Sequence, residues 1–267
     1  MGADSKSTKQ RLDKLLVDRG LVASRERAQA LILAGRVLVD EQKVEKPGHS
    51  VAESAAIRLL GGDLRYVSRG GLKLEEALRH WGIDLGGKFC LDVGASTGGF
   101  TDCMLQHGAA RVLAVDTGYG QIAEALRRDP RVTLMERTNA RKLAAGDLPE
   151  GIEFFAMDVA FISATLVLPA VVAAVGAAVP LEAVMLVKPQ FEVGREKVGK
   201  GGIVRDAAAR ESAIERVREC VVELGGGGIE VIESPIQGAE GNVEFLLHAI
   251  FHLKNSPQRT QRGSVPN

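Results

Sequence analysis

The sequence predicts an α/β protein of two domains: a small α+β unit, then a doubly wound, mostly parallel sheet with an antiparallel last strand. Short helices and strands fill residues 11–62, and from Gly70 onward apolar strands alternate with helices. Such alternation is typical of a parallel sheet. Only nine residues, SPIQGAEGN, separate the last two strands. That is too few for a helical crossover, which favours an antiparallel final pair.

Composition is typical of a globular protein, with 45% hydrophobic and 25% charged residues among 267. The 34 basic and 34 acidic residues balance, so net charge indicates no partner. Cys90, Cys103 and Cys220 lack the spacing of a zinc site or a disulfide framework. We therefore expect no bound metal and a reducing, cytoplasmic location. The uncharged run 159–181 contains two prolines, and we expect a buried helix and a turn there rather than a membrane span.

The first domain is expected to follow a disordered start over residues 1–10. A leucine stripe in RLDKLLVDRG predicts a helix that ends at Gly20. Ser24 is a suitable N-cap for a second helix, RERAQALILA. The alternating RVLVD and the run 51–60 predict short strands, which place the end of the domain near residue 62.

The second domain is expected over residues 70–253, between a linker at 63–69 and a disordered tail at 254–267. Its first element, GLKLEEALRHWG, has helical periodicity. The predicted strands are Phe89–Val93, Val112–Val115, Val132–Met135, Phe154–Met157, Ala183–Val187, Ile229–Ile232 and Val243–Ile250. The helices between them are expected at Phe100–Gln106, Gln121–Arg128, Thr165–Val175 and Asp206–Leu224.

A glycine-rich loop, CLDVGASTGGFTD, joins the first strand of the alternation to a helix. Ligands of open parallel sheets bind at the carboxyl ends of such strands, and glycines let the backbone approach them. The alternative is a turn that needs its glycines for packing alone. A second feature favours a ligand: Asp116 ends the next strand, where its carboxylate can accept from both ribose hydroxyls of an adenosine. Asn139, after the third strand, can present an amide to the adenine edge.

S-adenosylmethionine fits this loop better than a dinucleotide does. The dinucleotide fingerprint G-x-G-x-x-G places a pyrophosphate at a helix N-terminus. Here the loop reads GASTGG, and the carboxylate of Asp92 suits the ammonium of a methionine moiety rather than a phosphate. We therefore predict a Rossmann-like fold that binds S-adenosylmethionine. The residues predicted to form its site are Asp92, Gly94, Ala95, Ser96, Gly98, Gly99, Asp116 and Asn139.

Four charged residues are predicted to meet beside this crevice. Lys73 lies on the helix before the first strand, and Glu244 lies at the start of the last strand. Asp158 and Lys188 end the fourth and fifth strands, whose carboxyl ends converge in a parallel sheet. Such a group could orient and deprotonate a weakly acidic hydroxyl beside a sulfonium. Alternatively, it could form two ion pairs that tie strand ends together.

Two parts of the chain resemble known families. RLDKLLVDRGLVASRERAQALILAGRVLVD resembles the S4 RNA-binding module. YVSRGGLKLEEAL, LDVGASTGGFTDCMLQHGA, AVDTGYGQ, ERTNAR, MDVAFIS and LVKPQFEVGREKVGKGGIVRD resemble the TlyA family, often labelled hemolysin A. That family is similar to FtsJ/RrmJ-type ribose methyltransferases. The resemblance, which runs from about Arg11 to His248, implies 2′-O-methylation of cytidine in ribosomal RNA with S-adenosylmethionine as donor.

The resemblance also implies residue roles and a partner. The family's catalytic tetrad falls on Lys73, Asp158, Lys188 and Glu244, with Glu240 as an alternative for the last. Ribosomal RNA or a ribosomal subunit is the implied partner of the first domain. On charge alone, the ten Lys/Arg against seven acids in residues 1–47 could equally be a solvated basic face. The residues assigned to RNA binding are Arg11, Lys14, Ser24, Arg25 and Arg27.

The sequence argues against three other functions. A non-catalytic RNA-binding assembly factor would not need two lysines and two acids so placed. A membrane-active hemolysin would need an amphipathic basic helix or a credible span, and the sequence indicates neither. A dehydrogenase is disfavoured by the glycine spacing.

Overall fold

The computed structural model describes residues 9–22, 24–60, 65–176, 180–238 and 241–252. They fall into two compact units, one ending at Leu64 and the other beginning at Arg65. The disorder predicted for residues 1–8 and for the tail 254–267 lies outside the described residues, as does the predicted linker at 63 and 64. Lys9 and Gln10, expected in the disordered start, instead belong to the first strand, because they pair with residues 51 and 52.

The first unit packs two helices, α1 and α2, against short strands. Ser24 caps α2 as predicted, because its Oγ accepts a hydrogen bond from the backbone N–H of Arg27 at 3.2 Å. Leu12, Leu16 and Ile32 are fully buried, which confirms the helical stripes. β1 pairs with β4, and β3, β2 and β5 form an antiparallel sheet. The elements are β1 Lys9–Arg11, α1 Leu12–Asp18, α2 Arg25–Leu33, β2 Val37–Val39, β3 Gln42–Lys43, β4 Ser50–Ala52 and β5 Ile57–Leu59.

Seven strands of the described chain form the sheet of the second unit, in the order β11-β12-β10-β9-β6-β7-β8. The pairs that link β10, β9, β6, β7 and β8 are parallel. β12 runs antiparallel to both β10 and β11, which confirms the predicted final pair. The strands are β6 Phe89–Val93, β7 Arg111–Val115, β8 Val132–Met135, β9 Phe154–Met157, β10 Leu181–Val187, β11 Gly226–Glu233 and β12 Phe245–Phe251.

The helices lie where the alternation predicts them, with differences at their starts. The helix expected from Thr165 begins at Leu168, because Pro169 lacks an N–H and suits only a first turn; a 3-10 turn over Ala164–Leu166 precedes it. The helix expected over Gln121–Arg128 shortens to four residues. The helices are α3 Gly70–Trp81, α4 Gly99–Gln106, α5 Glu124–Arg127, α6 Leu168–Val175, α7 Pro189–Glu192 and α8 Ala207–Glu223.

The sheet is covered on both faces, as parallel sheets are. Leu91 and Val93 of β6 join one buried cluster, whereas Cys90 joins the cluster on the other face. Residues 65–69, expected in the linker, lie in the second unit, where Tyr66 is only 1% exposed. Among the described residues, no helix combines the length and apolarity needed to cross a membrane.

Candidate functional site

The loop after β6 passes against the end of β9. Gly94 has φ +87°, and a Cβ there would lie 2.5 Å from the carbonyl oxygen of Asp158. Only glycine therefore fits this position without moving the backbone. Ser96 also has a positive φ, of +50°, and Gly98 has φ +94°. This loop brings its backbone to the carboxyl ends of the central strands.

Asp116 fixes the loop from the neighbouring strand. It follows β7, and its carboxylate accepts hydrogen bonds from the backbone N–H of Ser96 at 2.8 Å and of Gly118 at 2.6 Å. The side chain borders a cavity of about 510 Å³, here called the Asp116 cavity. Asn139 lines the same cavity and uses its Oδ1 to accept from Arg141 N at 3.1 Å, so its amide N–H groups remain available.

Asp92 lies beneath the loop, is fully buried and lines neither this cavity nor its neighbour. Its Oδ2 accepts from the Thr101 hydroxyl at 2.6 Å, whereas its Oδ1 has no hydrogen-bond partner among the described residues. Burial raises the pKa of Asp92 to about 7, and the nearby carboxylates of Asp158 and Asp116 act in the same direction. A buried carboxylate oxygen without a donor is rare and calls for a cationic or hydrogen-bonding group.

A second cavity, of about 440 Å³, adjoins the first and is here called the Lys73 cavity. Lys73, Lys188, Ser68 and Gly238 contribute to its lining. The two cavities share a wall, so a group held in one can meet a group held in the other. The shared residues are Gly94, Ser96, Asp158 and Ala160.

The four predicted charged residues gather at the Lys73 cavity as two ion pairs. Lys73 Nζ lies 2.5 Å from Glu244 Oε2, and the two side chains are 10% and 3% exposed. Lys188 Nζ lies 2.5 Å from Asp158 Oδ1, with side-chain exposures of 12% and 22%. Three of the four line the cavity, and Glu244 supports Lys73. Glu240, the alternative fourth member, lies outside the described residues.

Lys188 is held at the strand end by the start of a helix. It is the residue before α7, and Pro189 occupies the first turn of that helix, where its missing N–H costs no hydrogen bond. The proline also ends the hydrogen bonding of β10. The side chain of Lys188 therefore lies at the rim of the sheet, facing Asp158, its ion-pair partner, which follows β9.

Glu192, which the sequence did not single out, ties this helix to the segment after β9. Its carboxylate accepts from the Ser163 hydroxyl at 2.5 Å and from Ala164 N at 2.7 Å. Burial raises its pKa against the opposing effect of these hydrogen bonds. The bridge joins the segments that carry Lys188 and Asp158, and so supports their pairing. In the sequence, the only sign of this bridge is Glu192 itself, the acid at the end of KPQFE.

Phe161 is a second residue of the site that sequence reasoning missed. Its side chain is 92% exposed and its φ is +65°, a region that bulky residues rarely adopt. The ring lies at the Asp116 cavity, with its centroid 5.6 Å from that of Phe191. In the sequence it resembles an ordinary apolar residue after a strand, and nothing there predicts a left-handed backbone.

Two of the five predicted RNA-binding residues, Arg11 and Arg25, bind an acid that was not predicted. Asp13 is fully buried and accepts from Arg11 at 2.9 Å, Arg25 at 3.0 Å and Gln29 at 3.0 Å. The Arg11 guanidinium is the main reason that the pKa of Asp13 lies well below its usual range. Both arginine side chains remain 52% exposed, and Lys14 beside them is exposed. Two cations are thus fixed by one buried carboxylate.

Comparison with known families agrees with this two-unit arrangement. A family model described as FtsJ-like methyltransferase matches residues 66–251. A second, described as S4 domain, matches residues 10–57. The two matches fall on the two compact units.

Individual relatives are similar over nearly the whole chain. A Bacillus subtilis protein named as a candidate rRNA methyltransferase is 47% identical over 244 residues, which cover 91% of this chain and 86% of that protein. The 16S/23S rRNA (cytidine-2′-O)-methyltransferase TlyA of Mycobacterium tuberculosis is 45% identical, covering 89% of this chain and 88% of TlyA. A solved structure described as a candidate hemolysin from Streptococcus thermophilus has a TM-score of 0.69 at 42% identity, covering 92% of this chain and 89% of that one.

Proposed function

This chain belongs to the FtsJ-like methyltransferase family and carries an S4 domain, and we propose that it methylates the ribose 2′-hydroxyl of a cytidine in ribosomal RNA, using S-adenosylmethionine. One observation carries the proposal. The Asp116 cavity shares a wall with a cavity that holds two buried lysine–carboxylate pairs. A donor in one cavity would therefore meet a hydroxyl in the other. The reaction would take place in the cytoplasm, where ribosomes are.

The residues present fit S-adenosylmethionine, which supplies a methyl group on a sulfonium when bound. Asp116 has lone pairs left for ribose hydroxyls, and the free amide N–H groups of Asn139 can donate to an adenine edge. The unpartnered Oδ1 of Asp92 has the chemistry to bind a cationic amino group, but it lies beneath the loop and would reach one only if the loop moved aside. The backbone of the loop at Gly94 and Ser96 lines both cavities and is therefore open to a ligand.

The chain's own residues would remove the proton of the ribose 2′-hydroxyl during methyl transfer. Lys188 would take up the proton of the 2′-hydroxyl as the hydroxyl oxygen receives the methyl group, whose bond to the sulfonium breaks to leave a neutral thioether. For this step Lys188 must first have lost the proton that it holds in its ion pair with Asp158. Asp158, 2.5 Å away, then stabilises the ammonium that results. Lys73, held by Glu244, orients the ribose from the other side of the cavity.

The RNA itself would be held by both units. Arg11 and Arg25, fixed by Asp13, present guanidinium groups to phosphates, and Lys14 adds a third cation. Near the reaction centre, the exposed ring of Phe161 offers the kind of surface on which an unstacked base packs. Deleting residues 9–60 should weaken RNA binding and leave S-adenosylmethionine binding intact.

The test is methyl transfer to ribosomal RNA by Lys188 variants, with the methylated ribose mapped on the RNA. Lys188→Ala should lower the single-turnover rate by about 10²–10⁴-fold, the usual contribution of a general base. Lys188→Arg should fail as well, since a guanidinium cannot give up its proton at working pH. Lys88→Ala is the matched control, because Lys88 pairs with Glu182 at the opposite ends of the strands, 3.2 Å apart.

Cofactor binding separates the possible outcomes. By calorimetry, Lys188→Ala should bind S-adenosylmethionine as the wild type does, whereas Asp116→Ala should bind it more weakly by about 1–3 kcal/mol. Activity retained in Lys188→Arg would make Lys188 an electrostatic positioner rather than a base. A wild-type protein that binds ribosomal RNA and adds no methyl group to it would be an assembly factor, and the proposed function would be wrong.

A further inference from the structure

The chain between α7 and α8 is basic up to Asp206, the residue that caps α8. Residues 193–205, here called the basic segment, carry four cations against one acid, Glu196, a formal charge of 4 − 1 = +3. All four cations are exposed, and none forms an ion pair or a side-chain hydrogen bond to another side chain within the described part of the chain. They are Arg195, Lys197, Lys200 and Arg205.

The backbone of the basic segment is nevertheless held firmly. Asn242, only 3% exposed, accepts from Val204 N at 3.1 Å and donates to Gly202 O at 2.9 Å. Gly199 N closes a turn on Ile203 O at 3.0 Å. Exposed cations displayed from an ordered backbone lose less conformational entropy on binding than those of a free loop. Such an arrangement favours a binding surface over a solvated linker.

The basic segment also lies next to the reaction centre. Asn242 accepts from Gly238 N at 2.9 Å through its own carbonyl, and Gly238 lines the Lys73 cavity. Glu244, the partner of Lys73, stands two residues further along the chain. At its other end, the basic segment continues from α7, which begins directly after Lys188. Both ends are therefore anchored to residues of the cavity.

We propose that the basic segment binds the phosphate backbone of the RNA that enters the Lys73 cavity, as a contact surface separate from the S4 unit. The inference rests on the proposed function, since the ligand is the RNA substrate. Phosphate contacts of this kind fix register and orientation without reading sequence. The segment would thereby hold the nucleotides that flank the target ribose while the cavity holds the ribose itself.

The test is a triple substitution, Arg195→Ala with Lys197→Ala and Lys200→Ala, in the full-length protein. Binding to protein-free ribosomal RNA and to ribosomal subunits is measured over a range of salt concentrations. Removing each phosphate interaction should reduce the slope of log K against log salt by about 1, and the Kd should rise about tenfold or more. Affinity for S-adenosylmethionine should not change.

Two control variants sharpen the result. The charge-retaining set Arg195→Lys, Lys197→Arg and Lys200→Arg should bind RNA nearly as the wild type does. A second control removes two cations at the opposite, amino-terminal ends of β7 and β8. This pair, Arg111→Ala with Arg131→Ala, should change the Kd much less than the triple variant does.

Three results would overturn one or other proposal. Wild-type RNA affinity and salt slope in the triple variant would overturn the inference while leaving the proposed function in place. Weaker binding seen with subunits and absent with protein-free RNA would also overturn it, because the segment would then contact a ribosomal protein. A wild-type protein that binds neither form of RNA would refute the proposed function itself.

Discussion

Asp13 in the first unit and Asp92 in the second are both fully buried, yet their pKa values are shifted in opposite directions. The pKa of Asp13 lies well below its usual range, whereas that of Asp92 is raised to about 7. The difference follows from their partners. Asp13 accepts hydrogen bonds from two arginines and Gln29, whereas Asp92 accepts from the Thr101 hydroxyl while two carboxylates stand near it.

Burial disfavours the charged form of both carboxyl groups, and the hydrogen-bond donors around each one decide whether it stays ionised. Asp13 is satisfied by its own unit, so its role is to hold Arg11 and Arg25 in place. Asp92 keeps one oxygen without a partner among the described residues, so it can still accept a further hydrogen bond. An aspartate thus fixes two arginines in the first unit and keeps an unused acceptor in the second.

The largest expected effect is that of Asp92→Asn, which replaces the carboxyl by a neutral group. Because the folded-state pKa is raised, the native protein binds more protons than the unfolded chain between about pH 4 and pH 7, and its stability falls as pH rises through that window. The variant lacks this fall in stability. It should match the wild type near about pH 4 and exceed it near about pH 8 by at most about 4 kcal/mol.

Urea unfolding followed by the fluorescence of Trp81, the single tryptophan, measures this in the second unit. A stability difference between variant and wild type that stays constant from about pH 5 to pH 8 would contradict the raised pKa. Calorimetry on the same variant tests the site, since loss of the carboxylate should weaken S-adenosylmethionine binding.

Asp13→Ala comes next, because it leaves two arginines and a glutamine without their acceptor. Removing one partner of a buried charge cluster costs about 3–5 kcal/mol, and we expect about 3 here, since both arginines are half-exposed and can rehydrate. Amide hydrogen exchange of α1 and α2 should accelerate roughly 100-fold. Trp81 fluorescence should report an unchanged second unit, and RNA affinity should fall as the two guanidinium groups lose their fixed positions. Unaltered exchange in α1 would show that Asp13 does not organise this unit.

The smallest effects come from removing one neutral donor in each unit. Thr101→Val takes away the hydroxyl that donates to Asp92 and should destabilise the second unit by about 2 kcal/mol near about pH 8 and about 1 near about pH 5, because hydrogen bonds to charged groups are stronger. Gln29→Ala leaves Asp13 its two arginines and should cost about 1 kcal/mol. Urea titration measures the loss of stability in Thr101→Val, and hydrogen exchange of α1 and α2 measures it in Gln29→Ala. A larger destabilisation by Gln29→Ala than by Thr101→Val would show that Asp13 depends more on its neutral donor than Asp92 does.

The sequence by itself determined the strand alternation, the antiparallel last pair and the positions of the charged residues. Periodicity and turn residues act locally, so β6, β8 and β9 have their predicted bounds. Parallel topology then brings the carboxyl ends of β9 and β10 together, which is why Asp158 and Lys188 could be expected at one crevice.

Only the tertiary structure decided which side chains pair and what each one experiences. Lys73 pairs with Glu244 across 171 positions of chain, and Glu192 reaches back 28 positions to Ala164. Neither interaction leaves a local pattern, because a side chain's partners depend on how distant elements pack. The opposite pKa shifts of Asp13 and Asp92 have the same origin: the two buried aspartates differ in the donors that folding places around them, so the pKa of one is lowered and that of the other is raised.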